Sequence, residues 1–305
     1  MINVLSLFNG MSFGRMALEA LDMKVDKYYS SEIDKYANQA AQALFPGTIQ
    51  LGDVTKWRDW DIDWASINLV TGGFPCQSWS MAGKQLGDKD ERGMLFWTML
   101  DIIKHVKHHN PKADFLIENV KMKKEFEQYI TTHTENALGN VHKILINSAL
   151  VSAQNRNRYY WTSFAVGQPE DEGIILDDML EDGISEPNSE GWQKWWRINK
   201  DFQLKKKYSA VCNNGSTNKA ITLTTRQYAS WNGNFVKVSV DKCRNLTPRE
   251  CFRLQTVPEH HIDTLLSAGI SNTQLYKMAG NGWTMEVIKH IFKAMLSNRV
   301  EYSFL

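Results

Sequence analysis

Short apolar runs alternate with stretches of helical periodicity through the first half of the chain. Residues 2–8 are almost continuously apolar, the pattern of a strand covered on both faces, and a turn containing Gly10 follows. Met16, Leu18 and Leu21 then recur at helical spacing. Three further strand-like pieces lie at 27–31, 48–51 and 67–70, and another at 115–117. Between the last two, Leu95, Met99, Ile102, Ile103 and Val106 mark one face of a core helix over 95–107. Residues 144–150 supply one more apolar run, and 269–292 return to a helical pattern. Strands that alternate with helices predict an α/β domain built on an open sheet.

What closes each run carries the chemistry. Residues 27–31 end at Glu32 and Ile33, 48–51 end at Gly52-Asp53-Val54, and 115–117 end at Glu118-Asn119-Val120. The 67–70 run ends in Thr71-Gly72-Gly73-Phe74-Pro75-Cys76, which puts a thiol on a loop at a strand's C-terminal end, where open α/β sheets bind ligands. Pro75 fixes the backbone beside Cys76 and biases Phe74 to an extended conformation. A nucleophile on a strap fits this pattern, and so does a small buried hydrophobe, the common fate of a free cysteine.

The first turn reads Gly10-x-x-x-Gly14, which does not match the Gly-x-Gly-x-x-Gly pyrophosphate cradle of nicotinamide or flavin enzymes. Singly, Glu32 or Asp53 could be a helix cap or a turn residue. Delivered by consecutive strands, they suit an adenosine ligand without a phosphate preference, which fits S-adenosylmethionine. Arg156 and Arg158 stand at alternate positions and are expected on one face of a strand. Between Ser78 and Gly93, Gly83, Gly87 and Gly93 punctuate a polar stretch carrying Lys84, Lys89 and Arg92, a loop length that suggests a lid.

Composition narrows the class. Across 305 residues the net charge is +1, and four cysteines show neither paired nor metal-like spacing, which argues against a zinc site or a disulfide framework. No apolar run approaches the roughly 20 residues of a membrane span, and the N-terminus shows no basic leader, so a soluble cytoplasmic protein is expected. Residues 170–190 hold nine acidic side chains and no Lys or Arg; residues 191–253 hold thirteen basic against three acidic. Trp192, Trp195, Trp196, Tyr208, Tyr228 and Trp231 are interleaved with that basic stretch, as on a nucleic-acid surface, although a solvated lysine-rich face has the same composition.

Taken in order, Phe8-x-Gly10 with Gly14, Glu32, Gly52-Asp53-Val54, Gly73-Phe74-Pro75-Cys76-Gln77, Glu118-Asn119-Val120, Gln154-x-Arg156-x-Arg158, Leu246-Thr247-Pro248-Arg249-Glu250 and Gly280-Asn281 resemble the DNA cytosine-5 methyltransferase family. Gln77 looks bacterial, while Val151-Ser152-Ala153 and Trp283-Thr284-Met285 look closer to the animal de novo enzymes. The resemblance implies a Rossmann-like, S-adenosylmethionine-dependent methyltransferase domain with a mixed, mostly parallel sheet and a smaller target-recognition domain. It suggests catalytic residues 1–185, target recognition at 186–260, and a C-terminal segment, 261–305, that returns to the catalytic domain.

The resemblance assigns the cofactor to Phe8, Asn9, Gly10, Ser12 and Gly14, to Glu32, Ile33, Asp53 and Val54, and to Leu95, Asn281 and Trp283. It makes Cys76 the thiolate that adds to carbon 6 of a flipped-out cytosine, Glu118 the group at ring nitrogen 3, Arg158 the partner of the cytosine carbonyl and Arg156 its support. Double-stranded DNA is then the partner, held by Ser78, Lys84 and Arg92 of the loop and by Arg226 and Lys237 of the basic region. A companion restriction endonuclease, the recognised sequence and the oligomeric state stay open, as do methylation of RNA cytosine and a non-catalytic DNA-binding relative. A bacterial or phage-infected cell is the expected setting.

Overall fold

The computed structural model describes residues 1–75, 93–206, 209–212, 219–228, 233–239 and 242–302. Two compact units emerge: the first takes Met1–Ile146, Asn157–Gln168 and the chain from Ile288 onward, the second Asn147–Arg156 and Pro169–Val287. No helix among the described residues is long and apolar enough to cross a membrane.

In chain order the first unit contains β1 (Ile2–Leu7), α1 (Phe13–Glu19), β2 (Val25–Ser31), α2 (Lys35–Leu44), β3 (Thr48–Gln50), β4 (Ile67–Gly72), α3 (Leu95–His109), β5 (Asp114–Val120), α4 (Lys124–Leu138) and β6 (His142–Asn147). After the short β7 (Gln154–Asn155), β8 (Asn157–Thr162) completes a seven-stranded sheet of order β3-β2-β1-β4-β5-β8-β6. The pairs from β3 through β5 are parallel, and β8 runs antiparallel to β5. This is the mixed, mostly parallel α/β sheet that the sequence implied. Leu5, Leu7, Val70, Phe115 and Ile117 pack with Phe96, Met99, Ile102 and Ile103 of α3 into one core cluster. Burying an aliphatic or aromatic side chain of that size contributes about 1.5–3 kcal/mol each, before chain entropy is counted.

Register fixes where the loops leave the sheet. Ser31 pairs with Leu7, Leu7 with Gly72, and Gly72 with Ile117, so β1, β2 and β4 end in one level row beside Ile117, while β5 runs on to Val120 along β8. Strand order reverses between β1 and β4, the switch point outside which open α/β sheets bind ligands. Gly72 itself is tightly surrounded, since a Cβ there would lie 3.0 Å from Met99 Sδ and 3.2 Å from Leu7 O.

The second unit contains β7, α5 (Glu190–Lys205), β9 (Ser209–Cys212), β10 (Ala220–Ile221), β11 (Gly233–Ser239), β12 (Lys242–Asn245), α6 (Pro248–Leu254), α7 (Glu259–Ser267), α8 (Asn272–Asn281) and the start of α9 (Met285–Tyr302). β11 pairs with β9 in parallel and with β12 antiparallel, and β7 pairs with β10. Trp192 and Trp196 of α5 are buried against Phe235, Val211 and Cys243, with Trp195 packed beside them. Those tryptophans, read from sequence as part of a nucleic-acid surface, form a core: the helical spacing of Trp192 and Trp196 puts both on the face turned to β11.

The boundaries between the two units fall at 146/147, 156/157, 168/169 and 287/288. The acidic connector belongs to the second unit because Glu181 is bound by α6: its N–H donates to Glu250 Oε1 at 3.0 Å, and Arg249 and Thr247 hold its carboxylate. At the other end the chain joins the first unit only from Ile288, where Arg299 Nε donates to Asp114 Oδ2 at 2.7 Å.

Candidate active site

Beyond the row, the turn after β1 is held open by an unusual backbone. Phe8, Gly10 and Ser12 all take positive φ, 54°, 58° and 74°. Two of these are not glycine, and such conformations cost of order 1–3 kcal/mol each, a strain typical of ligand-binding turns. Asn9 Nδ2 donates to Ser12 Oγ at 2.8 Å, and the Tyr28 hydroxyl donates to Asn9 Oδ1 at 3.0 Å. The Asn9 and Ser12 side chains are thus buried braces of the turn. Burial also pushes the Tyr28 phenol up to about 12, so it stays a donor. Tyr28 carried no signal in the sequence beyond its apolar neighbours.

Glu32 leaves the end of β2 with its carboxylate fixed by three backbone groups. Gly10 N–H donates to Oε2 at 2.9 Å; the Ile33 and Asp34 N–H groups donate to Oε1, each at 2.8 Å. A carboxylate has about four acceptor positions, so capacity for a ligand hydroxyl remains. Ile33 is 78 % exposed beside it, a large apolar side chain left at the edge. The space a Cβ on Gly10 would enter is open for 4 Å. Asp53 caps the turn that follows, accepting from the Thr55 N–H and hydroxyl at 2.9 Å each, and these bonds hold its carboxyl below the usual carboxylate range. A carboxylate, an exposed apolar platform and an open glycine turn at one sheet edge fit the ribose and base of an adenosine. Gly14 and Val54 are buried behind that edge, while Phe8 and Leu95, the first residue of α3, are half-buried.

β4 leads to Phe74 and Pro75, both described; Cys76, Ser78, Lys84 and Arg92 lie outside the described residues, as does the proposed lid. Phe74 is buried against Phe96, and its carbonyl accepts a hydrogen bond at 3.1 Å from Nδ2 of Asn119 on the neighbouring β5. Asn119 therefore ties the strap to the strand bearing Glu118, a role invisible in a linear reading. Glu118 is 8 % exposed, and its Oε1 lies 3.0 Å from Arg158 Nε. Arg158 Nη1 also donates to Asn157 O. A guanidinium therefore faces the Glu118 carboxylate at this edge.

Arg156 does not share a face with Arg158, because the strand breaks between β7 and β8 and alternation is lost with it. It is buried in the second unit, where its guanidinium donates to the carbonyls of Gly282 (2.7 Å), Gly280 (3.1 Å) and Leu223 (3.4 Å). Gln154 and Gln255 extend this hub: Gln154 Nε2 donates to Leu254 O, and Gln255 Nε2 to Ala279 O. Together they fix the end of α8, which carries exposed Asn281 and, after Gly282, half-buried Trp283. Arg226 is exposed on a turn pinned by Gln227 and Asn234, and Lys237 is half-buried on β11. Cys243 and Cys251 are buried free thiols that desolvation pushes up, which suits packing and not reaction.

Residues 2–297 match a family model described as C-5 cytosine-specific DNA methylase. The Type II methyltransferase M1.ScrFI of Lactococcus lactis subsp. cremoris is 33% identical over 316 residues, 96% of this chain and 77% of that protein. M.NlaX of Neisseria lactamica is 30% identical over 97% of this chain and 96% of its own length. In fold, the chain is similar to a triple mutant of Spodoptera frugiperda DNMT2 (TM-score 0.72, 18% identity, covering 97% of this chain and 100% of that one). It is also similar to S. pombe Dnmt2 (TM-score 0.71, 17% identity, 98% and 99% covered).

Proposed function

Because the chain belongs to the C-5 cytosine-specific DNA methylase family, and so moves a methyl group from S-adenosylmethionine to carbon 5 of cytosine in DNA, we propose that Cys76, Glu118 and Arg158 carry the reaction. Carbon 5 of cytosine is a weak nucleophile. Addition of the Cys76 thiolate to carbon 6 pushes an electron pair toward carbon 5; loss of the carbon-5 proton later returns that pair, breaks the sulfur–carbon bond and frees the enzyme. A cysteine with an ordinary pKa near 8.5 is a few per cent thiolate at neutral pH, enough for so strong a nucleophile.

Glu118 supplies a proton toward ring nitrogen 3 as the thiolate adds, which makes carbon 6 electrophilic. Arg158, gripping Oε1 at 3.0 Å, orients that carboxyl and faces the cytosine carbonyl. Bound S-adenosylmethionine supplies an electrophilic methyl group. Glu32 and Asp53 would hold its ribose and adenine polar groups, with Ile33 and Phe8 against the ring. The target base leaves the duplex at a cost of a few kcal/mol in unstacking. Ser78, Lys84 and Arg92 hold its strand, and the basic stretch 191–253, through Arg226 and Lys237, reads the sequence. The type II relatives support a role in protecting DNA beside a restriction endonuclease, in the cytoplasm of its cell.

The observation that carries this reading is the level row Ser31, Leu7, Gly72 and Ile117, from which Glu32, the glycine turn, the Pro75 strap and Glu118 all depart. Labelled-methyl incorporation tests it. Cys76→Ala retains cofactor and duplex binding and transfers no methyl group; transfer at the parent rate overturns the thiolate assignment. Incorporation into duplex DNA and not into transfer RNA is the expected substrate result, and bisulfite sequencing reads out the site.

A further inference from the structure

The geometry points to Lys121, Lys123 and Lys124 as a phosphate clamp for the DNA strand that carries the target cytosine. They follow Glu118 at the C-terminal end of β5 and are all exposed. Met122, between them, is 5 % exposed and belongs to the main core cluster, while Lys121 N–H donates to Asn157 O at 3.4 Å. The segment is thus pegged to the core and stitched to β8, so its lysines are displayed from a fixed backbone.

Charge balance favours an anion at this edge. None of the three lysines lies within ion-pair distance of a carboxylate among the described residues. Arg158, the other cation here, is committed to Glu118 and Asn157 O. Glu127 is buried and paired with Lys143, so it takes little from the field; exposed Glu125 takes more. A cytosine seated at Glu118 brings its own backbone with it. Lys121 is three residues from Glu118, a span of at most about 10 Å of chain, and each strand places a phosphate about every 3.4 Å of helix axis. Phosphates flanking an extruded base therefore fall within lysine reach of the ring that Glu118 holds. The inference rests on the reading of Glu118 as the residue at the ring. It adds cations to those of the 78–93 loop and the basic stretch 191–253.

The test uses the full chain and a duplex oligonucleotide with one target site. In the combined variant Lys121→Gln, Lys123→Gln, Lys124→Gln, the Michaelis constant for DNA rises about tenfold or more. The slope of log affinity against log salt flattens by about 0.9 for each phosphate that no longer meets a lysine. The turnover number at saturating DNA changes less than threefold, and S-adenosylmethionine binding, measured separately, is unchanged. The corresponding triple Lys→Arg variant restores both affinity and slope. An unchanged Michaelis constant and slope overturn the clamp, as does a loss confined to turnover or one that arginine fails to rescue. Glu118→Gln run alongside separates the two readings: full activity there sinks the role of Glu118, while a flattened slope in the lysine variant still upholds the clamp.

Discussion

Around Arg156 the polar groups are spent on the protein itself: the guanidinium meets three backbone carbonyls, Gln154 and Gln255 grip others, and Ser148 and Thr284 share a hydroxyl bond at 2.7 Å. Around Arg158, two residues on, the same side-chain type meets a carboxylate at the rim of a sheet whose neighbouring loops carry Glu32, Asp53 and an exposed Ile33. The first region holds strand, loop and helix together inside one unit. The second presents groups to what binds. Two arginines of one short motif thus differ in burial and in partners, and the proposed function gives the chemistry to the second.

The sharpest way to break this contrast is at the rim. Glu118→Gln should lower turnover by about 10²–10⁴-fold, the usual worth of positioned proton transfer, while the chain still folds; single-turnover kinetics and circular dichroism read the two halves. Arg156→Ala should do the reverse, destabilising the protein by about 3–5 kcal/mol by stripping a charged donor from buried carbonyls. Urea unfolding measures it, and a variant as stable as the parent but inactive would put Arg156 with the chemistry instead. Gly280→Ala comes next, at about 1–3 kcal/mol of overpacking. Its new Cβ would lie 2.4 Å from the Thr224 backbone carbon, so the turn bearing Arg226 must shift, visible as weakened DNA binding in a titration.

The smallest effect is acid-dependent and lies outside both regions. Glu259 is held below the usual carboxylate range by a hydrogen bond from Arg253 and then one from Arg249. Its pairing is complete above the ordinary carboxylate pKa and is lost as pH falls through the lowered value. Glu259 is half exposed, so Glu259→Gln should remove only about a few tenths of a kcal/mol near pH 7, and less as pH falls through the lowered value, read by urea unfolding across pH.

Much of the first region's counterpart was legible in sequence because period and punctuation agree there. The run at 2–8, the turn at Gly10 and the carboxylates at Glu32, Asp53 and Glu118 all sit at strand ends that the structure reproduces within a few residues. Alternation failed at Arg156, since a two-residue gap says nothing about a strand that breaks between them. Composition failed at Trp192 and Trp196, where basic neighbours masked a small core. The Asn119 bond to Phe74 spans 45 residues and depends on β4 lying beside β5, which no local pattern encodes.

The common level of Ser31, Leu7, Gly72 and Ile117 acts as a datum for everything above it. Lengthening an exposed connection at the opposite end of the strands leaves that datum where it is. Inserting one residue within β4 shifts the strap by a step and turns its side chains over, while the apolar content of the strand barely changes. Evolutionary tinkering in such a chain is therefore cheap below the sheet and nearly forbidden inside it.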